Sequence, residues 1–252
     1  MHIKRTLDKL LKSSPVIKID DSFKALFISD LHMGIGNGAD DFVYNSALLL
    51  RVLNTYFERG FHLGILGDCY ELWENDSIVN IVQSHLDIFI QIQKFSAYGR
   101  LIQVKGNHDS ALDFPESIVL VNQYTGQHTL LVHGHQGDFW NYDAYPCGKY
   151  FVRHLWRNLQ FLGFKDPTTA RSVKNPSKHD LTRQGFLAWS TSRKRQVIFG
   201  HTHYAESLPP YYYNTGSWVG LGGEGVEMIG DKLTARHFYD DMGKEKQDGL
   251  QD

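Results

Sequence analysis

Short apolar runs, each closed by a turn-forming or polar residue, set the rhythm of the first half of this chain. Residues 25–28 (Ala-Leu-Phe-Ile), 62–66 and 101–104 are too short for helices and too continuous for a solvated surface, so they predict buried strands. Between them the apolar period changes. Phe42, Leu48, Leu49, Val52, Leu53, Tyr56 and Phe57 outline a helix capped by Asp40 and ended by Gly60, and residues 78–95 outline a second. Strand, helix, strand, helix, strand is the βαβαβ arrangement of a parallel sheet. A short amphipathic helix over 3–11, stopped by Ser13-Ser14-Pro15, precedes this unit.

Beyond residue 115 the rhythm shortens. Apolar runs at 118–121, 129–132, 197–199, 218–221, 226–229 and 233–238 are divided by Gly, Pro and Asn, which predicts a second, mixed or antiparallel sheet. Tyr211-Tyr212-Tyr213 reads as a further strand. The polar end, 242–252, is expected to fray.

Composition narrows the class. With 252 residues, 42% hydrophobic and 13% aromatic, the chain can bury a full core as a single domain, 1–252, carrying an insert. Two cysteines, Cys69 and Cys147, are too few for a disulfide framework and point to a reducing, cytoplasmic setting. Lys4, Arg5, Asp8, Lys9 and Lys12 interrupt the apolar residues that an export signal would need, and no run approaches the ~20 apolar residues of a membrane span. A soluble protein is expected.

Charge is unevenly spread. Residues 147–196 hold eleven Lys or Arg against Asp166 and Asp180, a formal +9 in a chain of net −2, which leaves −11 elsewhere. Phe151, Leu155, Leu159 and Leu162 fall on one helical face with Trp156 beside it, and 178–190 predicts another helix. The stretch reads as a basic helical insert or lid over a site that must attract an anion, with Arg153 and Arg157 as candidate substrate contacts. The amphipathic face also fits a peripheral contact with a lipid surface. Nucleic acid fits less well, because the basic residues are interleaved with apolar ones rather than laid along a polar groove.

Residues of metal-ligand type follow the apolar runs. They occur in Ser29-Asp30-Leu31-His32, Gly67-Asp68, Gly106-Asn107-His108-Asp109, His133-Gly134-His135 and Gly200-His201-Thr202-His203. In open α/β sheets ligands gather at the carboxyl ends of strands, so these separate blocks are expected to converge. One such histidine is ordinarily just a polar residue. Six of the thirteen histidines fall inside the blocks, and that concentration changes the balance. His2, His62, His85, His128, His154, His179 and His237 carry no such context, and Cys69 is assigned to packing. Trp73 and Trp140 suit a pocket wall or the core equally. Carboxylates, imidazoles and a side-chain amide are the donors that a pair of divalent cations needs, and a nitrogen and oxygen set without thiolate suits Mn, Fe, Co or Zn.

The five ordered blocks resemble the calcineurin-like metallophosphoesterase superfamily, whose pattern is D-x-H, G-D-x-x-D/E, G-N-H-D/E, H and G-H-x-H, from residue 30 to about residue 217. The resemblance implies an αββα four-layer sandwich of two mixed sheets flanked by helices. It implies a binuclear hydrolase, a phosphatase or phosphodiesterase, that cleaves a phosphoester by in-line attack of a hydroxide held between two metals, manganese foremost. Asp30, His32 and His203 would bind the first metal, Asn107, His133 and His201 the second, and Asp68 would bridge them. His133 is preferred over His135 as ligand, which leaves His135 for substrate contact. His108 would be the general acid, with Glu71 orienting it, and Asp109 would support the site from the adjacent position. Asn214-Thr215-Gly216-Ser217 fits the family's loop after the last histidine pair.

Within that superfamily the length, the Gly-Asp-x-x-Glu block and the helical insert are similar to the bacterial UDP-2,3-diacylglucosamine pyrophosphohydrolases of lipid A synthesis. Two blocks depart from them: His108 stands where those enzymes typically carry Arg, and His133-Gly134-His135 where they carry His-Gly-Asp. The expected substrate is therefore a phosphorylated small molecule, with the lipid-linked pyrophosphate as the alternative. A non-catalytic scaffold on the same fold is the other alternative, and the presence of His108 beside every ligand type argues against it.

Overall fold

The structure, a computed structural model, describes residues 2–137 and 176–239. In chain order its elements are α1 (His2–Ser13), β1 (Val16–Ile19), β2 (Lys24–Ile28), α2 (Ser46–Glu58), β3 (His62–Leu66), α3 (Ile78–Ser84), α4 (Leu86–Ala97), β4 (Leu101–Val104), β5 (Ser117–Asn122), β6 (His128–Val132), α5 (Pro176–Arg193), β7 (Gln196–Phe199), β8 (Glu206–Leu208), β9 (Tyr212–Asn214), β10 (Gly223–Ile229) and β11 (Lys232–Phe238). They form two mixed sheets. One has the order β11-β10-β2-β3-β4 and the other β1-β5-β6-β7-β9-β8.

The apolar pattern explains the stacking. Leu26, Ile28, Leu63 and Ile65 face outward from the five-stranded sheet and pack under Leu49, Leu53, Ile88 and Phe95 of α2 and α4. Ala25, Phe27, Leu66 and Val104 face the other way, onto Leu120, Leu131 and Ile198 of the six-stranded sheet. Val119, Leu130, Val197 and Phe199 then meet Leu7 and Leu10 of α1 with Phe186 and Trp189 of α5. Each strand that is apolar on both faces is thus buried on both, and the result is a four-layer αββα sandwich.

Strands β2, β3 and β4 are parallel neighbours in sequence order, as the βαβαβ reading requires. Several expectations change. Strands β10 and β11 do not join the second sheet. They form a hairpin closed by Gly230-Asp231, with Gly230 left-handed, and β10 pairs antiparallel with β2. Residues 218–221 are a loop rather than a strand, although Trp218 is buried. The helix expected over 78–95 breaks at His85, whose buried imidazole leaves the helical path to meet Asp40 Oδ2 at 2.8 Å. Asp40 accordingly does not cap α2. It accepts the Gly36 and Phe42 amides and folds the loop ahead of that helix.

The end of the basic segment is helix α5. Helix α5 buries Phe186 and Trp189 fully in the outer layer. Arg183 makes a two-pronged contact with Glu206 at 2.7–2.9 Å, and Arg193 pairs with Asp8. The rest of the expected insert, with Arg153, Arg157, Cys147 and Trp140, lies outside the described residues. No helix among the described residues is long and apolar enough to cross a membrane.

Candidate metal centre

The backbone at the strand ends is unusual before any side chain is considered. Among the described residues six non-glycine residues have positive φ, and five of them are Asp30, His32, Asp68, His201 and His203. A left-handed residue costs about 1–2 kcal/mol, so the local sequence does not favour these conformations. The surrounding loops impose them. Asp30 and His32 donate their amides to the Gly67 and Asp68 carbonyls at 3.2 and 3.0 Å, and the Trp218 amide donates to the Asp30 carbonyl at 3.1 Å. The glycine before Asp68 and the one before Asn107 are needed because these loops interlock: a Cβ on Gly67 would lie 2.7 Å from Gly106 Cα, and one on Gly106 would lie 2.0 Å from Asp68 Oδ1.

Side chains from both sheets meet here. Asp30 Oδ1 lies 3.2 Å from His203 Nε2 and 3.8 Å from His32 Nε2, and the two imidazole nitrogens are 3.2 Å apart. Asp68 Oδ2 lies 3.1 Å from His133 Nε2 and 3.7 Å from His32 Nε2. His201 stands edge-on to His133, with ring centroids 5.2 Å apart. The structure therefore draws together Asp30, His32 and His203 as one group and Asp68, His133 and His201 as another, each able to hold a metal ion, with His32, Glu71 and His108 as a further cluster of ligand-type atoms beside them. Asp68 faces both.

Two backing contacts fix the carboxylates. Asp30 Oδ2 accepts the His201 amide at 2.9 Å and the Ser29 hydroxyl, which also meets Thr215 Oγ1 at 2.6 Å. Asp68 Oδ1 accepts the His108 amide at 2.8 Å, so one oxygen of each carboxylate stays free to face the cluster. His133 is aimed in the same way, its Nδ1 donating to the Leu66 carbonyl at 2.8 Å.

His108 stands beside these groups. Its Nδ1 lies 2.7 Å from Glu71, and its ring stacks on Trp73 at 4.1 Å and 14°. Trp73 also donates its indole N–H to the Asn107 carbonyl at 2.7 Å, so it is core and wall at once. Asp109 does not reach the cluster. Its oxygens accept the Gly106 and Cys69 amides at 2.6 and 2.8 Å, which ties two of these loops together. His135 is buried with its ring 5.4 Å from that of His133, outside both groups. Burial, and the neighbouring His133 and His201, hold its pKa well below the usual value.

The site's own chemistry tests whether cations fit. Asp30 Oδ1, Asn107 Oδ1 and His133 Nε2 are buried without a hydrogen bond. An unmatched buried acceptor costs about 1–3 kcal/mol, and their concentration here is what a divalent ion would relieve. Electrostatics agree. Against the opposing effect of burial, His133 and His203 hold the Asp30 carboxyl well below its usual range, and Asp68 is lowered likewise by His133 and His108. His133 is raised to about 9 by Asp68 and Asp30, again against burial. Carboxylates this deep stay charged only beside positive charge, which protonated imidazoles or metal ions supply.

Sequence reasoning overlooked the role of Ser29 and the way that Asn45 pins the loop at 218–222. The Asn45 amide donates to the Trp218 and Gly220 carbonyls at 2.5 and 2.8 Å and accepts from the Gly222 amide at 3.0 Å. Only the glycines of that loop hinted at it.

Fold and site together define a four-layer α/β protein with a buried carboxylate and imidazole cluster suited to divalent cations. No protein-family model matches the chain, and no curated protein sequence does. Among solved structures it is similar to a conserved uncharacterized protein of Streptococcus pneumoniae TIGR4, described as a predicted phosphoesterase, at 17% identity and a TM-score of 0.39 over 88% of this chain and 96% of that one. It is similar also to a Thermotoga maritima protein solved by NMR, at 19% identity and 0.39 over 86% and 99%. Both likenesses are weak, and the site stands on its own geometry.

Proposed function

We propose that the chain is a binuclear metal-dependent phosphoesterase. The observation that carries this reading is Asp68, whose Oδ2 faces His133 at 3.1 Å and His32 at 3.7 Å and so belongs to the coordination space of both ligand groups. Asp30, His32 and His203 would hold one ion, and His133, His201 and the Asn107 amide oxygen the other. When bound, such ions neutralise the phosphate and lower the pKa of water at the site.

The remaining roles fall to the chain. His108 lies next to the ligand Asn107 but outside the two ligand groups, and it is held by Glu71 and Trp73 with its Nε2 side left for a proton. We assign it as the general acid that protonates the departing alkoxide. Burial of Asp30, Asp68 and His133 keeps bulk water away from the reacting group and strengthens each charge interaction. The donor set suits manganese, with iron, cobalt or zinc as substitutes. The proposed substrate is a phosphorylated small molecule or a lipid-linked one, met in the cytoplasm, with Arg153 and Arg157 as further contacts. The test is hydrolysis of a panel of phosphomonoesters, phosphodiesters and nucleotide-sugar pyrophosphates by stripped and metal-reconstituted protein. Metal-dependent cleavage of at least one class supports the reading, and none by a protein that binds two ions favours a scaffold.

A further inference from the structure

Glu71 lies against two histidines of different assigned roles. Its Oε2 is 2.7 Å from His32 Nδ1, and His108 Nδ1 straddles its carboxylate, 2.7 Å from both Oε1 and Oε2. The two rings meet edge to face with centroids 4.6 Å apart. At that length each contact is an N–H···O hydrogen bond, and a carboxylate has no proton to give, so both imidazoles must carry hydrogen on Nδ1. Each then presents its Nε2 lone pair, on His32 toward Asp30, His203 and Asp68.

The backbone keeps Glu71 in this position. Its amide donates to the Met33 carbonyl at 3.0 Å, one residue past His32, and its Oε1 accepts the Trp73 amide at 3.2 Å. Its carbonyl accepts from the Asn75 side chain at 2.9 Å. Three ligand loops, at the ends of β2, β3 and β4, are thereby joined through one side chain.

We infer that Glu71 is a shared positioning residue, which sets the ring orientation and tautomer of the metal ligand His32 and of the general acid His108 together, so that metal affinity at one site and proton delivery depend on the same carboxylate. The inference rests on the functional reading above for the role of His108, but its link to metal binding needs only an ion held by His32. A glutamine of the same shape cannot reproduce it. Its single amide oxygen is drawn to the Oε1 position, where the Trp73 amide and His108 both donate, so its NH2 would face His32 and demand the opposite tautomer there, with hydrogen on Nε2 where the lone pair is required.

That asymmetry supplies a test by double-mutant cycle, read as metal affinity by competition with a chelator. Glu71→Gln in the otherwise unchanged protein should weaken one of the two ions by about 10–100-fold, the usual cost of losing a carboxylate behind a ligating histidine. In a His108→Ala background the amide oxygen is released to His32, and the same change should cost only a few-fold. Equal losses in both backgrounds would show that Glu71 merely shapes its turn and would overturn the inference, as would no loss in either. If the unsubstituted protein binds its ions but cleaves no phosphoester, the functional reading fails while the cycle still decides the coupling.

Discussion

Two buried polar clusters border the five-stranded sheet, and they are built on opposite principles. Glu227 of β10 is 4% exposed, and its two oxygens accept from Tyr56 and Arg236, each at 2.9 Å, with Arg59 3.9 Å away. Its backbone is ordinary strand. At the strand ends, Asp30, Asp68 and Glu71 crowd against His32, His133 and His203, five residues take left-handed backbone, and several lone pairs face inward unmatched. The first cluster pairs both Glu227 oxygens within the chain and holds α2 to the sheet. The second leaves buried lone pairs unmatched on left-handed backbone, an arrangement suited to divalent cations and held at some expense of stability.

Substitution should separate the two. Asp68→Ala should reduce metal-dependent hydrolysis to background and lower the number of bound ions, measured by steady-state assay and elemental analysis of the same sample. His108→Asn should keep both ions while turnover falls by about 10²–10⁴-fold, with a smaller loss on a nitrophenyl ester whose leaving group needs little protonation. A fall in metal content with activity would instead make His108 a ligand.

The pH dependence of the metal-free protein should expose the same contrast. His133 is raised from 6.5 to about 9 by Asp68 and Asp30 against burial, so its contribution to stability is full below about 6.5 and lost as pH rises through 9. Asp109 is raised from 3.8 to about 6 by burial and by Asp68, so its share is full below 3.8 and gone above 6. Glu71, held at about 2 by His108 and His32 against burial, works the other way, and its share is lost as pH falls from 4.5 through 2. The metal-free Tm should therefore decline between pH 6 and 9. Saturating divalent cation should flatten that decline, because the ion takes the place of the histidine protons beside the carboxylates. A parallel decline with and without cation would show that these groups do not face it.

The smallest effect belongs to the closed cluster. Tyr56→Phe removes one hydrogen bond to Glu227 and should cost about 1 kcal/mol, seen in denaturant unfolding, with metal affinity and turnover unchanged. Altered metal binding would mean that the sheet face and the strand ends are coupled.

How far this was legible in the sequence depends on the range of the determining interaction. Residues 25–28, 62–66 and 101–104 announced themselves by local hydrophobicity, and the polar residues that close them fall at strand ends by simple adjacency. Assignment of 226–238 to the first sheet was not legible, since its alternation fits either sheet and only pairing of β10 with β2 decides. Asp40 looked like a helix cap because capping is local, whereas its partner His85 lies 45 residues away. The left-handed backbone at Asp30, His32, Asp68, His201 and His203 leaves no compositional trace, because it is imposed by interlocked loops rather than by glycine. The burial of Phe186 and Trp189 in α5 was not legible, because charge dominates their stretch and their partners on α1 and the second sheet lie far away in sequence.

The most direct measurement is titration of metal-stripped protein with a divalent cation, following bound ions and phosphoester hydrolysis in one sample. The account predicts two ions per chain, with hydrolysis appearing only as the second site fills and disappearing on chelation. Full hydrolysis by the stripped protein, or saturation at a single ion with full activity, would contradict it.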